Sequence, residues 1–112
     1  MKIRELIVDL YGCVADLNNS SWLTSVLESA AKEMGSTIVK TVSHNYSPIG
    51  ITVILLLAET HISIHTWPQY KYAALDVFIC SDEADPETAW NVVKAALKPA
   101  SSKTREIHRQ VT

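Results

Sequence analysis

The sequence contains no apolar segment long enough to span a membrane. Its longest mainly apolar run, Ile51 to Ala58, is far shorter than the roughly 20 residues that a membrane helix requires. Residues 1–5, Met-Lys-Ile-Arg-Glu, also lack the long apolar stretch of a signal peptide. We therefore expect a soluble, cytoplasmic protein that does not interact with membranes.

Cysteine and clustered positive charge are also scarce. Cys13 and Cys80 are the only cysteines, and nothing marks the chain as secreted, so free thiols are expected rather than a disulfide. The chain has 10 basic and 12 acidic side chains, a formal net charge of -2, and no basic cluster interleaved with aromatic residues. Nucleic acid is therefore not an expected partner.

The pattern of apolar residues predicts one small domain over residues 1–112. β-Branched and aromatic residues predict strands over 3–11, 37–44, 51–58, 60–67 and 72–80, whereas 104–111 is either an edge strand or a loose segment. Apolar steps of three and four residues predict helices ending near Gly35 and before Pro99, the second starting at Asp85-Pro86. Short connections favour an α+β two-layer sandwich, with a mainly antiparallel sheet and both helices on one face.

Segment 59–80 concentrates the unusual side chains, although each has an ordinary explanation. His61 and His65 suggest a metal, but four residues along a strand separate them by roughly 13 Å, so no metal site is expected. Thr60 alone is a typical strand residue, and a thiol such as Cys80 at the end of an apolar strand is more often inert. Trp67 and Trp90 are expected in the core, and Cys13 is expected to be structural. Asp76 is either a solvent-facing residue or a buried, hydrogen-bonded carboxylate, and the structural role is favoured.

The run from Glu59 to Pro68, Glu-Thr-His-Ile-Ser-Ile-His-Thr-Trp-Pro, is continued by the apolar strand from Tyr72 to Cys80. Together they strongly resemble the small prokaryotic S-adenosylmethionine decarboxylases. The resemblance implies autocatalytic cleavage between Glu59 and Thr60, in which a hydroxyl attacks the preceding carbonyl and leaves a ketoacyl group on the new chain. Such a ketone condenses with the substrate amine and accepts the electrons released when carbon dioxide departs. The family normally uses serine and forms pyruvoyl, whereas Thr60 would give 2-oxobutyryl, with its extra methyl crowding the attack.

The same resemblance implies roles for five other residues. His65 corresponds to the processing base, and Cys80 to the acid that reprotonates the substrate carbon. Thr52 replaces a serine that assists processing and keeps its hydroxyl. Tyr46 is either the aromatic residue that stacks on adenine or an ordinary loop aromatic. Gln69 replaces a ribose-binding glutamate and retains a hydrogen-bond acceptor without its charge.

The leading hypothesis is therefore an S-adenosylmethionine decarboxylase that supplies aminopropyl groups for polyamine synthesis and assembles as a homodimer. Gln69, together with Lys71 in place of a family glycine, leaves open another amine-bearing substrate such as ornithine or arginine. A third possibility is a relative that binds a ligand without cleaving itself. Since strand parity places Thr60 and His65 on opposite faces, the family chemistry requires a bend at Glu59-Thr60.

Overall fold

The computed structural model describes all residues from Met1 to Thr112. It contains two helices, α1 (Ser20–Glu33) and α2 (Pro86–Leu97). Its six strands are β1 (Lys2–Tyr11), β2 (Ile38–Asn45), β3 (Ile51–Leu57), β4 (Thr60–Trp67), β5 (Tyr72–Ile79) and β6 (Ser101–Gln110). They form one sheet in the order β2-β3-β4-β5-β1-β6, and every neighbouring pair is antiparallel. The predicted α+β sandwich is confirmed.

The helices begin and end where the sequence supplies capping groups. The Asn19 side chain accepts a hydrogen bond from Trp22 N–H, and the Asp85 side chain accepts one from Glu87 N–H, which satisfies backbone donors that a helix start leaves free. Helix α1 packs against β2, β3 and β4, and α2 packs against β5 and β1. Both helices thus cover the same face of the sheet. Neither is long and apolar enough to cross a membrane.

The other face of the sheet, which we call the open face, carries large apolar side chains exposed to solvent. Strand alternation places Val42, Ile54, Leu56, Trp67 and Ile107 on this face, and all five are more than a third exposed. The prediction that Trp67 lies in the core is therefore wrong, because its position in β4 points it away from the helices. These apolar side chains lie on four strands, so exposed apolar surface is spread across the open face and is available for another molecule to cover.

The last strand shows which of the two alternatives for residues 104–111, an edge strand or a loose segment, is correct. β6 pairs with β1 along its whole length, from Ser101 opposite Tyr11 to Gln110 opposite Lys2, so the segment is an edge strand that begins earlier than predicted. All of its side chains are exposed, because neither helix packs against β6. Trp90, by contrast, is buried in the core as predicted.

Asp76 lies on the open face, opposite Ser63 of β4 and Ile7 of β1. Its Oδ1 atom is buried without a hydrogen-bond partner. Burial, followed by hydrogen bonding to and repulsion from Glu5, raises the pKa of Asp76 to about 6. The carboxyl group consequently favours its neutral form near neutral pH more than an exposed aspartate does.

This shift predicts a pH-dependent stability. Because the folded chain binds the Asp76 proton more tightly than the unfolded chain does, stability falls as pH rises from 3.8 towards about 6. We expect Asp76→Asn to flatten this decline and to raise the free energy of unfolding at pH 7 by about 1 kcal/mol, allowing for partial exposure. Urea unfolding between pH 4 and 7.5 measures the effect, with Asp82→Asn, at an exposed position, as the matched control. Equal curves for the two variants would contradict the assignment.

Candidate active site

The residues singled out from the sequence fall into two groups at opposite ends of β4. Glu59, Thr60 and Cys80 lie together at its start, and we call them the cleavage cluster. Thr60 and His65 are five residues apart on the strand, a separation of roughly 16 Å. One chain therefore does not bring these two side chains together.

The cleavage cluster is built on the tight turn between β3 and β4, where the required bend occurs. Thr60 has a φ of 132°, a conformation that is rare for a β-branched residue and costs roughly 1–3 kcal/mol. Its hydroxyl oxygen is buried and has no hydrogen-bond partner. The Cys80 backbone N–H donates to the Glu59 carbonyl oxygen at 2.9 Å. The turn thus presents an unengaged hydroxyl beside a polarised peptide carbonyl.

A second segment, which sequence reasoning missed, holds this turn in place. Thr37, just before β2, donates its backbone N–H to the Glu59 carboxylate at 3.1 Å, and its carbonyl accepts the Ala58 N–H at 2.9 Å. Both contacts use backbone atoms of Thr37, so they could not be predicted from the residue type at position 37. The loop after α1 is therefore pinned to the turn that contains the Glu59-Thr60 bond.

The second group comprises Tyr46, Thr52, His65 and Gln69, and we call it the pocket cluster. These residues line a cavity of about 250 Å³ at the end of β4, together with Trp67. The Thr52 hydroxyl lies 2.8 Å from His65 Nδ1 and 3.1 Å from the Tyr46 hydroxyl. The predicted residues of this group thus share one cavity, and three of them share one hydrogen-bond chain.

The loop before α1 supports the rim of this cavity. Asn18 Oδ1 accepts the Gly50 N–H at 3.0 Å, and the Thr66 hydroxyl donates to the Leu17 carbonyl at 2.9 Å. Gly50 has a φ of 111°, and a Cβ there would lie 3.2 Å from the Thr66 carbonyl oxygen. A larger residue at position 50 would therefore adopt a strained backbone conformation and would crowd the Thr66 carbonyl oxygen. Asn18, the residue before the cap of α1, thus stabilises the cavity rim.

Lys71 is exposed and lies outside the residues that line the cavity. It adopts a left-handed conformation with a φ of 51°, in the turn between β4 and β5. Glycine, which the resemblance implies at this position in the family, adopts this conformation without steric cost. The Lys71 carbonyl accepts a hydrogen bond from the backbone N–H of Cys13. The Cys13 thiol is buried, and this burial raises its pKa. Cys13 is thus part of the packing, and neither cysteine forms a disulfide.

No three His, Cys, Asp or Glu side chains form a group suited to a metal ion. His61 instead stacks on Phe78 across the open face, with ring centroids 5.3 Å apart.

Comparison with known proteins gives a consistent result. A family model described as S-adenosylmethionine decarboxylase matches residues 4–110. The S-adenosylmethionine decarboxylase proenzyme of Parasynechococcus marenigrum (strain WH8102) is 40% identical over 108 residues, covering 96% of this chain and 84% of that protein. The proenzyme of Methanococcus aeolicus is 39% identical over 107 residues, covering 95% of this chain and 92% of that protein.

Solved structures agree with the sequence comparison. The adenosylmethionine decarboxylase from Aquifex aeolicus superposes with a TM-score of 0.91 at 31% identity, covering 98% of this chain and 92% of that one. The AdoMetDC-delta26 monomer of Trypanosoma brucei has a TM-score of 0.60 at 14% identity, with coverage of 90% and 44%, and shows the fold alone. The chain belongs to the S-adenosylmethionine decarboxylase family.

Proposed function

We propose that this chain is a cytoplasmic proenzyme that cleaves itself between Glu59 and Thr60 and then decarboxylates S-adenosylmethionine for polyamine synthesis. The observation that carries the proposal is the environment of Thr60: a buried, unpartnered hydroxyl on a strained turn beside a carbonyl that already accepts a hydrogen bond. The names of the curated relatives and of the Aquifex aeolicus structure support the substrate.

The cleavage reaction uses the chain's own atoms. Thr60 Oγ1 attacks the Glu59 carbonyl carbon, the peptide C–N bond breaks, and the nitrogen takes the hydroxyl proton, which leaves an ester. A base then removes the Thr60 α-proton, and the Cβ–Oγ1 bond breaks with Glu59 departing as a carboxylate. This elimination leaves an enamine, which tautomerises to an imine as Cβ gains a proton and the nitrogen loses one. The imine adds one water and releases one ammonia, so residue 60 ends as a 2-oxobutyryl ketone.

The geometry of the cleavage cluster favours the first of these steps. Oxyanion charge develops on the Glu59 carbonyl oxygen during the attack, and the Cys80 N–H at 2.9 Å is already directed at that atom. Breaking the peptide bond also releases the constraint that holds Thr60 at a φ of 132°. These features are present before any substrate binds, as a self-processing chain requires.

We assign the base to His65 of a second copy of the chain. His65 of the same chain lies roughly 16 Å from Thr60 along β4, beyond the reach of direct proton transfer. The exposed apolar side chains of the open face supply a surface that a second copy would bury. The cavity of about 250 Å³ is also smaller than typical ligand pockets of about 300–1,000 Å³, so a partner's surface would help to enclose a substrate. A homodimer with the two open faces in contact meets all three requirements.

In the decarboxylation, the ketoacyl group at residue 60 would supply an electrophile for the substrate amine and an acceptor for the electron pair left by carbon dioxide. The chain's other residues bind and move protons. Cys80 is half-buried next to position 60 and supplies the proton to the substrate carbon. Tyr46 and Gln69 line the same cavity as His65, so the Tyr46 ring and the Gln69 amide that contact adenine and ribose also come from the second copy.

Denaturing mass spectrometry tests the proposal. We expect the purified chain to separate into fragments 1–59 and 60–112, the second lacking its amine and reacting with hydroxylamine at a ketone. Carbon dioxide release from S-adenosylmethionine, compared with ornithine and arginine, then tests the substrate. A chain that stays whole and leaves hydroxylamine nothing to trap would refute the proposed chemistry.

A further inference from the structure

A chain of hydrogen bonds connects His65 to Tyr46. Stacking on adenine would use only the ring of Tyr46 and would leave its hydroxyl without a role. The Thr52 hydroxyl lies between His65 Nδ1 at 2.8 Å and the Tyr46 hydroxyl at 3.1 Å. The His44 ring meets the Tyr46 ring in a T-shaped contact, with centroids 4.7 Å apart. The position of the Tyr46 hydroxyl is therefore defined by contacts with Thr52 and His44, independently of any ligand.

The Thr52 hydroxyl has one hydrogen to donate, and two neighbours compete for it. If it donates to His65 Nδ1, neutral His65 carries its proton on Nε2. Neither ring nitrogen then has a lone pair free to accept the Thr60 α-proton. If it donates to Tyr46 instead, Nδ1 of His65 keeps the proton and donates to Thr52, which leaves Nε2 unprotonated. The direction of the Thr52 hydroxyl thus determines which nitrogen of His65 is available as a base.

We infer that Tyr46 is a positioning residue whose hydroxyl oxygen accepts the Thr52 hydrogen and so keeps Nε2 of His65 free as the base. The inference rests on the proposed function, because elimination requires an imidazole nitrogen that can take the Thr60 α-proton. Thr52 is buried, only 9% exposed, so water has little access to replace the tyrosine oxygen as acceptor. Tyr46 is half exposed and can donate its own hydrogen to solvent.

Nitrogen-15 NMR of histidine-labelled protein tests this directly on the Thr60→Ala chain, which cannot cleave and gives one species. We expect the neutral His65 ring to show a pyrrole-like signal for Nδ1 and a pyridine-like signal for Nε2, with His65→Gln used for assignment. In Tyr46→Phe, which keeps the ring and removes the hydroxyl, the ring should shift towards the tautomer protonated at Nε2. Tyr70→Phe, which removes an exposed hydroxyl outside the cavity, should leave the spectrum unchanged.

Cleavage kinetics give a second readout in the chain that retains Thr60. Tyr46→Phe should slow cleavage by about three- to tenfold, the loss expected for one hydrogen bond, with no comparable change in melting temperature. Thr52→Val should slow it at least as much, and Thr52→Ser should restore it. Protonation of Nε2 in the Thr60→Ala chain, or the same tautomer with and without the Tyr46 hydroxyl, would overturn the inference. Failure of every Thr60 chain to cleave would instead refute the proposed function, since the NMR measurement does not depend on cleavage.

Discussion

Thr60→Ala is expected to remain a single uncleaved chain of 112 residues after prolonged incubation, with no carbonyl that hydroxylamine can trap. Alanine removes the only oxygen placed to attack the Glu59 carbonyl, because the Cys80 N–H and the turn hold that carbonyl beside position 60. Intact-mass measurement under denaturing conditions distinguishes the outcomes. Decarboxylation should be lost completely, since the catalytic carbonyl group derives from this residue.

Thr60→Ser should cleave faster than the natural chain and begin its second fragment with pyruvoyl, one methylene lighter. The methyl group of threonine crowds the carbonyl during the attack, and removing it should raise the rate by about tenfold, equivalent to 1.4 kcal/mol of activation energy. Ser63→Ala is the matched control, because it removes another β4 hydroxyl outside the cleavage cluster. Cleavage of Thr60→Ala, or loss of cleavage in Ser63→Ala alone, would contradict the assignment of Thr60.

Two inactive variants are expected to complement each other when produced together. Thr60→Ala lacks the attacking hydroxyl and His65→Ala lacks the base, so neither should cleave alone. A mixed dimer contains one site that combines Thr60 from the His65→Ala chain with His65 from the Thr60→Ala chain. With random pairing, about a quarter of all chains should be cleaved, all of them carrying His65→Ala.

Mass spectrometry of co-expressed chains with tags of different mass identifies which variant is cleaved. Mixing Thr60→Ala with Cys80→Ala provides the comparison, because Thr60 and Cys80 belong to the same cluster. In that mixture, every site that retains Thr60 contains the altered residue 80, so decarboxylation should not be restored. Absence of cleavage in the first mixture would show that Thr60 and His65 do not act across two chains.

The sequence by itself determined the element order, the two-layer architecture and the resemblance that pointed to cleavage at residue 60. Alternating apolar residues in β5 and three- to four-residue steps in α1 are local patterns, and they report which side of an element is buried. The same patterns failed for Trp67, whose exposure depends on which sheet face the helices leave uncovered. The length of β6 was also undetermined, because its residues are exposed on both faces and its pairing with β1 joins distant parts of the chain.

Only the tertiary structure decided how the candidate residues are grouped. Thr60 and His65 are close in sequence but stand at opposite ends of one strand, whereas Cys80 meets Glu59 through a backbone hydrogen bond across the sheet. Thr37 holds the cleavage turn and Asn18 the cavity rim, both through contacts with residues more than 20 positions away. Such contacts depend on strand register and helix placement, which are set by packing of the whole core. A sequence motif can therefore name the reacting groups, but only the folded chain shows which of them one copy holds together.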